Sequence, residues 1–213
     1  MKKIMFNEQF GLEQATLDGT KTMTRRIVPQ VILDYVPKYQ QEYYEQTLST
    51  ISFEDAILNM VGAEKMFQRY VYNVGEIVAI AQRYSQIEKE IKKLGLPFDL
   101  KKHKGYNNKM FVRAEDMPDH IKITDRKLEH LQDISDEDCL KEGVRKGFIG
   151  YYVPRIKCKN WEEEAHVDTK DGHTWKLFPT PQEAFAAMID KVSGKGTWES
   201  NPLVFAYEYK RID

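Results

Sequence analysis

The residues best suited to chemistry lie together in Gly19-Thr20-Lys21-Thr22-Met23-Thr24-Arg25-Arg26. One lysine, three threonines and two arginines within eight residues put three cations and three hydroxyls on one short stretch. Such a stretch can bind phosphate or carboxylate through charge-assisted hydrogen bonds. The same residues would also suit a solvated edge strand, where threonine and arginine are ordinary. Spacing constrains the choice. On a regular strand Lys21 and Thr24 point to opposite faces, because side chains alternate with period two. They can share a pocket only if a turn or bulge after Gly19 breaks that alternation, and a glycine makes such a break cheap.

Composition limits what this stretch can serve. A chain of 213 residues can bury one real core, and with 41% hydrophobic and 12% aromatic residues it is not expected to be disordered. The net charge is −1, from 32 basic against 33 acidic residues. A nucleic-acid-coating protein would be clearly basic, so any phosphate contact must come from a local cluster. Cys139 and Cys158 have no close spacing partner and no nearby histidine pair, so no zinc signature or disulfide framework is expected. The apolar run Ile4-Met5-Phe6 stops at Asn7-Glu8, too short for a signal peptide, and no later run could span a bilayer. No membrane partner, no metal and no cofactor are called for, and the cytoplasm is the expected compartment.

The elements that must position the stretch are readable in outline. Ile4-Met5-Phe6 reads as a buried strand, and about Glu8–Leu17 as a helix ended by Asp18-Gly19. Thr22–Val28 is β-branched and extended, closed by Pro29. From Gln30 to about Tyr70 a tyrosine- and glutamine-rich segment reads as a helical insertion packing on the edge of the core, with Tyr43-Tyr44 and neighbouring tyrosines as its expected anchors. Ile77–Ala81 follows the turn at Asn73–Glu76 and is the best buried-strand candidate. Ser85–Lys93 reads as a charged helix, Lys101–Lys109 as loop, and Met110–Arg113 as a strand. His120–Leu131 reads as a long strand with room for a bulge. Ser135 with Asp138 three residues on is a helix-start signature for Asp136–Glu142, which stops at Gly143. After an irregular stretch, Thr180-Pro181 opens a helix to about Val192, and Leu203–Tyr209 is a closing strand. Short strands with scattered helices argue for an α+β fold built on a small β-barrel or curled sheet.

Gly19-x-Lys21-x-x-Thr24-x-Arg26 resembles the GxKxxTxR motif of the ASCH domain family, a branch of the PUA-like β-barrels. Further blocks are similar in the same order: "DGTKTMTRRI", "VGEIV", the Met117-Pro118 pair before a long strand, "LQDISDEDCLKEGV", and the terminal "WESNPLVFAYEY". They resemble the longer ASCH proteins of bacteria and their phages across nearly the whole chain, with about 30–70 and 85–104 as the dissimilar insertions. The resemblance implies a single domain over 1–213, a PUA-like barrel with peripheral helices, and a pocket that binds RNA or a nucleoside or nucleotide. Gly19, Lys21, Thr22, Thr24, Arg25 and Arg26 would line it, with Arg25 or Arg26 on phosphate or a base edge, and Tyr84 is a candidate to stack on a base.

Some small bacterial members are amidohydrolases acting on N4-acetylcytidine through a lysine, a threonine and a glutamate. Carried over, these fall on Lys21, Thr24 and Glu142. Where longer relatives have Arg-Glu-Thr-Trp after the central strand, this chain has Ala81-Gln82-Arg83-Tyr84, with one less carboxylate. Two mechanisms stay open. Lys21 could deprotonate Thr24 if burial or a neighbouring cation lowered its pKa, although Glu142 nearby would hold it charged. Alternatively Glu142 activates a water while Lys21 and Thr24 stabilise the oxyanion. The plain alternative for Glu142 is an exposed acid in the last turn of a short helix. Trp161, Trp175 and Trp198 could also stack on a base, with Trp198 better suited to the core, and Lys101–Lys104 is a second basic cluster. A third class of function is an interaction scaffold of phage type, with the 30–70 insertion as the contact for a protein partner.

Overall fold

The computed structural model describes residues 1–213 except 64, 94, 96–98, 159, 161–164, 169–171 and 213. Its elements run β1 (Lys2–Ile4), α1 (Leu12–Leu17), β2 (Met23–Ile27), α2 (Gln30–Thr47), α3 (Phe53–Ala63), α4 (Lys65–Gln68), β3 (Ile77–Ile80) and α5 (Glu88–Lys93). There follow β4 (His120–His130), α6 (Asp136–Lys141), β5 (Arg145–Lys146), β6 (Tyr151–Tyr152), β7 (His166–Asp168), β8 (Thr174–Lys176), α7 (Pro181–Ser193), α8 (Thr197–Ser200) and β9 (Leu203–Arg211). The fold is mixed α+β. Five strands form one sheet in the order β1-β3-β4-β9-β2, with β1 parallel to β3 and the remaining pairs antiparallel. Two small antiparallel pairs, β5-β6 and β7-β8, lie outside it.

The long strand β4 carries the irregularity its sequence allowed. Its register against β9 shifts between Ile123 and Asp125, so Thr124 is the extra residue of a bulge. Such an insertion bends and twists the strand, letting one element serve as the partner of both β3 and β9. In β9, Val204 to Tyr207 and Tyr209 are all buried, so both of its faces are covered.

The insertion expected to pack on the edge of the core is helical and contributes to the main cluster itself. Ile32 and Val36 of α2, Ile57 and Met60 of α3, and Phe67 of α4 are fully buried in the same cluster as Val78, Ile121 and Phe205 of the sheet. Of the expected tyrosine anchors, Tyr35 and Tyr39 pack against this cluster, Tyr35 edge-on to Phe67 at 5.3 Å, whereas Tyr44 is 52% exposed. A second cluster, with Tyr84, Ile87, Ile91, Val112 and Met117, packs around Ala79 and Ala81.

The segment Met110–Arg113, expected as a strand, is a 3-10 turn followed by coil. The ammonium of Lys3 accounts for it, donating to the carbonyls of Met110 (2.7 Å) and Val112 (2.6 Å), acceptors that a strand would have offered to a neighbour. Among the described residues no helix is long and apolar enough to cross a membrane.

Candidate functional site

The site is built where α1, β2 and α6 meet. Helix α1 ends at Asp18, and Gly19 takes φ 73°, the left-handed conformation that lets the chain reverse. The Lys21 amide then bonds back to the Ala15 carbonyl at 2.8 Å, so Lys21 sits in the turn and not in the strand. Thr22 ties the turn to its neighbours. Its amide donates to Lys141 O of α6 (3.0 Å) and its carbonyl accepts from Tyr209 N of β9 (2.9 Å). Strand β2 begins only at Met23. Period-two alternation therefore never applies between Lys21 and Thr24, and both line one cavity of about 290 Å³.

Helix α6 delivers the carboxylate. Ser135 caps it by accepting from Asp138 N at 3.1 Å, and Glu142 closes the last turn. Gly143 follows at φ 109°, and a Cβ there would stand 3.0 Å from Leu12 Cδ2 and 3.8 Å from Lys21 Cδ. Only glycine lets α6 end this close to α1. Glu142 is 4% exposed, so the reading of it as a surface acid is overturned.

Lys21 is 1% exposed, and its three ammonium hydrogens have three acceptors: Met23 O (2.5 Å), Glu142 O (2.8 Å) and Glu142 Oε2 (2.6 Å). Burial pushes its pKa below the ordinary lysine value and outweighs the opposing pull of the Glu142 charge, while Arg26 and Arg25 add to the lowering.

The guanidinium of Arg25, expected to meet phosphate or a base edge, is occupied by carboxylates instead. It reaches Glu129 (Nε 2.8 Å, Nη2 2.6 Å), Asp138 (2.9 Å) and Glu142 (3.3 Å). Two cations against three carboxylates make this an internal network and not a free basic patch. The physical reason is burial, since a charge out of water needs partners. Arg26 donates from Nη2 to Met5 O (2.7 Å) and lies over the Phe6 ring at 5.7 Å, while its Nε is buried without a partner among the described residues.

The cavity thus gathers Lys21, Thr24, Arg25, Arg26 and Glu142. Gly19 and Thr22 do not line it; they shape and tie the turn. The Thr24 side chain is buried, yet its hydroxyl makes no hydrogen bond among the described residues. The remaining wall is mostly apolar, from Phe6 and Leu12 and from Phe185, Met188 and Ile189 of α7, with Asn7 and Ser193 as its further polar members. A ligand there would meet a flat apolar enclosure with polar groups on one edge, the usual make-up of small-molecule sites.

Tyr84 is not part of this site. It is fully buried in the second cluster, its hydroxyl 2.5 Å from Asp116 Oδ2 and its ring 5.2 Å from His103, so no face is open to a base. Trp198 packs edge-on against Phe185 at 6.1 Å, Trp175 is buried beside β7, and Trp161 lies outside the described residues. Sequence alone missed Glu129 and Asp138 as partners of Arg25, and the α7 wall. Asp138 was visible as a capping acid, but nothing local reveals that an arginine far away in the chain needs it. Comparison with protein-family models, with curated proteins and with solved structures finds no match.

Proposed function

We propose that this chain is an ASCH-type protein with a PUA-like curled sheet, and that its cavity binds a nucleobase, as a nucleotide or within RNA. The observation that carries the reading is the convergence of Lys21, Thr24 and Glu142 on one cavity of about 290 Å³, near the lower end of the roughly 300–1,000 Å³ typical of ligand sites. Thr24, Asn7 and Ser193 supply the polar side chains left to meet a base edge, and Phe6 and Phe185 belong to the apolar wall. Lys21 and Arg25 act by holding the wall in place, since their own donors are already engaged.

A second reading, amide hydrolysis on an N4-acylated cytidine, is favoured by the buried 2.6 Å contact between Lys21 Nζ and Glu142 Oε2. In that reaction the Lys21 proton passes to Glu142, and the neutral amine takes the proton of the Thr24 hydroxyl. Thr24 Oγ1 adds to the acyl carbon, and the bond to the exocyclic nitrogen breaks as that nitrogen receives the proton from Lys21. Water then cleaves the threonine ester, its hydroxyl going to the acyl carbon and its proton to Oγ1, and Glu142 returns its proton to Lys21. The products are cytidine and the free acid.

The two readings separate in one experiment. Cytidine and N4-acetylcytidine are titrated calorimetrically, and the second is followed for release of cytidine. Binding is expected for the wild type, weakened at least tenfold by Thr24→Val, in line with about 1.4 kcal/mol for a lost hydrogen bond to a buried group. Turnover abolished by both Thr24→Val and Lys21→Met selects hydrolysis; binding without turnover selects recognition. Wild-type affinity in Thr24→Val would remove the cavity from either role.

A further inference from the structure

A second, larger cleft of about 610 Å³ lies on the other side of α7, lined by Arg155, Lys157, Lys176 and Lys191 around Phe10 and Phe178. It continues into a smaller hollow where His173 and Trp175 lie 5.1 Å apart with their rings inclined by 30°. Neither hollow has an aspartate or glutamate among its described lining residues.

Elsewhere several half-buried and buried cations are ion-paired, Lys2 with Glu76, Lys21 with Glu142, Arg25 with three carboxylates, and Lys109 with Glu8 and Glu13, while Lys3, Arg26 and Arg126 donate to carbonyl oxygens. Arg155, Lys157 and Lys191 form no ion pair among the described residues. In a chain of net charge −1, three such cations converging on one cleft are a local anion site. Arg155 also holds φ 70°, a backbone conformation that side chains other than glycine rarely adopt, and it lines both hollows.

The cleft and the Lys21 cavity share their walls. Helix α7 presents Met188, Ile189 and Val192 to one and Ala187 and Lys191 to the other, and the segment 5–10 gives Met5, Phe6 and Asn7 to one and Gln9 and Phe10 to the other. A strand crossing this rim would set phosphates among the cations while one base turned into the cavity. We infer that the Arg155–Lys157–Lys191 cleft binds the phosphate backbone of a single-stranded nucleic acid, so the ligand of the neighbouring cavity is a base within a strand and not a free nucleoside. The inference rests on the nucleobase reading for the cavity and adds residues outside the resemblance.

The test uses fluorescein-labelled RNA and DNA single strands of roughly 12 nucleotides, within the span of a small binding domain, with polyglutamate as the competing polyanion. Anisotropy titrations between about 50 and 200 mM salt give affinity and salt slope. Wild type is expected to bind with a clear slope. Lys157→Glu with Lys191→Glu, both exposed and so harmless to folding, is expected to weaken binding at least tenfold. The variant should also lower the slope by about 1.4, or about 0.7 for each phosphate no longer neutralised. Cytidine affinity should be unchanged in that variant. RNA or DNA binding with these effects supports the inference, and their relative affinity names the strand. Oligomer binding that ignores the variant, or polyglutamate binding as tightly, overturns it even if nucleosides still bind the cavity. Oligomer binding through the cleft with no nucleoside affinity would instead sink the cavity reading and leave the cleft standing.

Discussion

Lys21 carries most of the energetic tension in this molecule. Its ammonium is buried with all three hydrogens engaged, yet burial lowers its pKa from the ordinary lysine value. That conflict has a measurable sign. Well below its folded pKa Lys21 is protonated in both states and adds no pH dependence. Between that depressed value and the unfolded value of 10.5, the unfolded chain binds the proton and the folded one does not, so stability rises with pH across this window. The unfolding free energy of wild type minus that of Lys21→Met is therefore expected to grow as pH is raised from about 7 toward about 10. Urea denaturation at unit steps of pH would read it. A difference that shrinks with pH would mean that the Glu142 ion pair, and not desolvation, sets the lysine. The same residue illustrates what was legible. The GxKxxTxR spacing identified Lys21 and Thr24, and side-chain alternation demanded a turn before them, which Gly19 at φ 73° supplies. The internal pairing of Arg25 was not legible, because its three carboxylate partners lie more than a hundred residues away and no local pattern announces them.

At the scale of elements, the helices between β2 and β3 were legible as helices but not as core. The polar, tyrosine-rich composition of Gln30–Tyr70 suggested packing only at the edge of the core, because the few aliphatic residues that dock it are diluted among exposed glutamines and glutamates. The structure places Ile32, Val36, Ile57, Met60 and Phe67 at or near zero exposure within the main cluster. At about 1.5–3 kcal/mol for each large apolar side chain buried, these five contribute about 10 kcal/mol, comparable to the whole stability of a typical domain, about 5–15 kcal/mol. Excising residues 31–70 is accordingly expected to abolish cooperative thermal unfolding. A deletion variant that still melts in one sharp transition would show that the insertion is separable, as a scaffold role would require. The bulge in β4 and the cap on α6 were read correctly, since both depend on short-range chemistry: a β-branched run with an extra residue, and a serine three residues before an acid. Met110–Arg113 was misassigned because a single distant lysine takes its carbonyls.

Across the whole molecule, near-neutral charge conceals a strong division. Around the Lys21 cavity Lys21 and Arg25 are neutralised by internal carboxylates, whereas on the far side of α7 four cations line a cleft with no described acid in its lining. The sequence totals, 32 basic against 33 acidic residues, could not reveal this, because charge balance is set by which side chains the fold brings together. Helix α7 is then a partition: its apolar residues line the Lys21 cavity on one face, and Lys191 lines the basic cleft on the other. The central claim is that a base occupies the hollow between the Lys21 turn and α7. The most direct test is a methionine-methyl NMR titration of the full chain with cytidine and N4-acetylcytidine. Met5 and Met188 line the cavity, while Met60 and Met117 are buried elsewhere. Saturable shifts at Met5 and Met188, with Met60 and Met117 unmoved, are the predicted result. Methyl resonances that stay fixed at millimolar ligand, or that move only at Met60 and Met117, would contradict it.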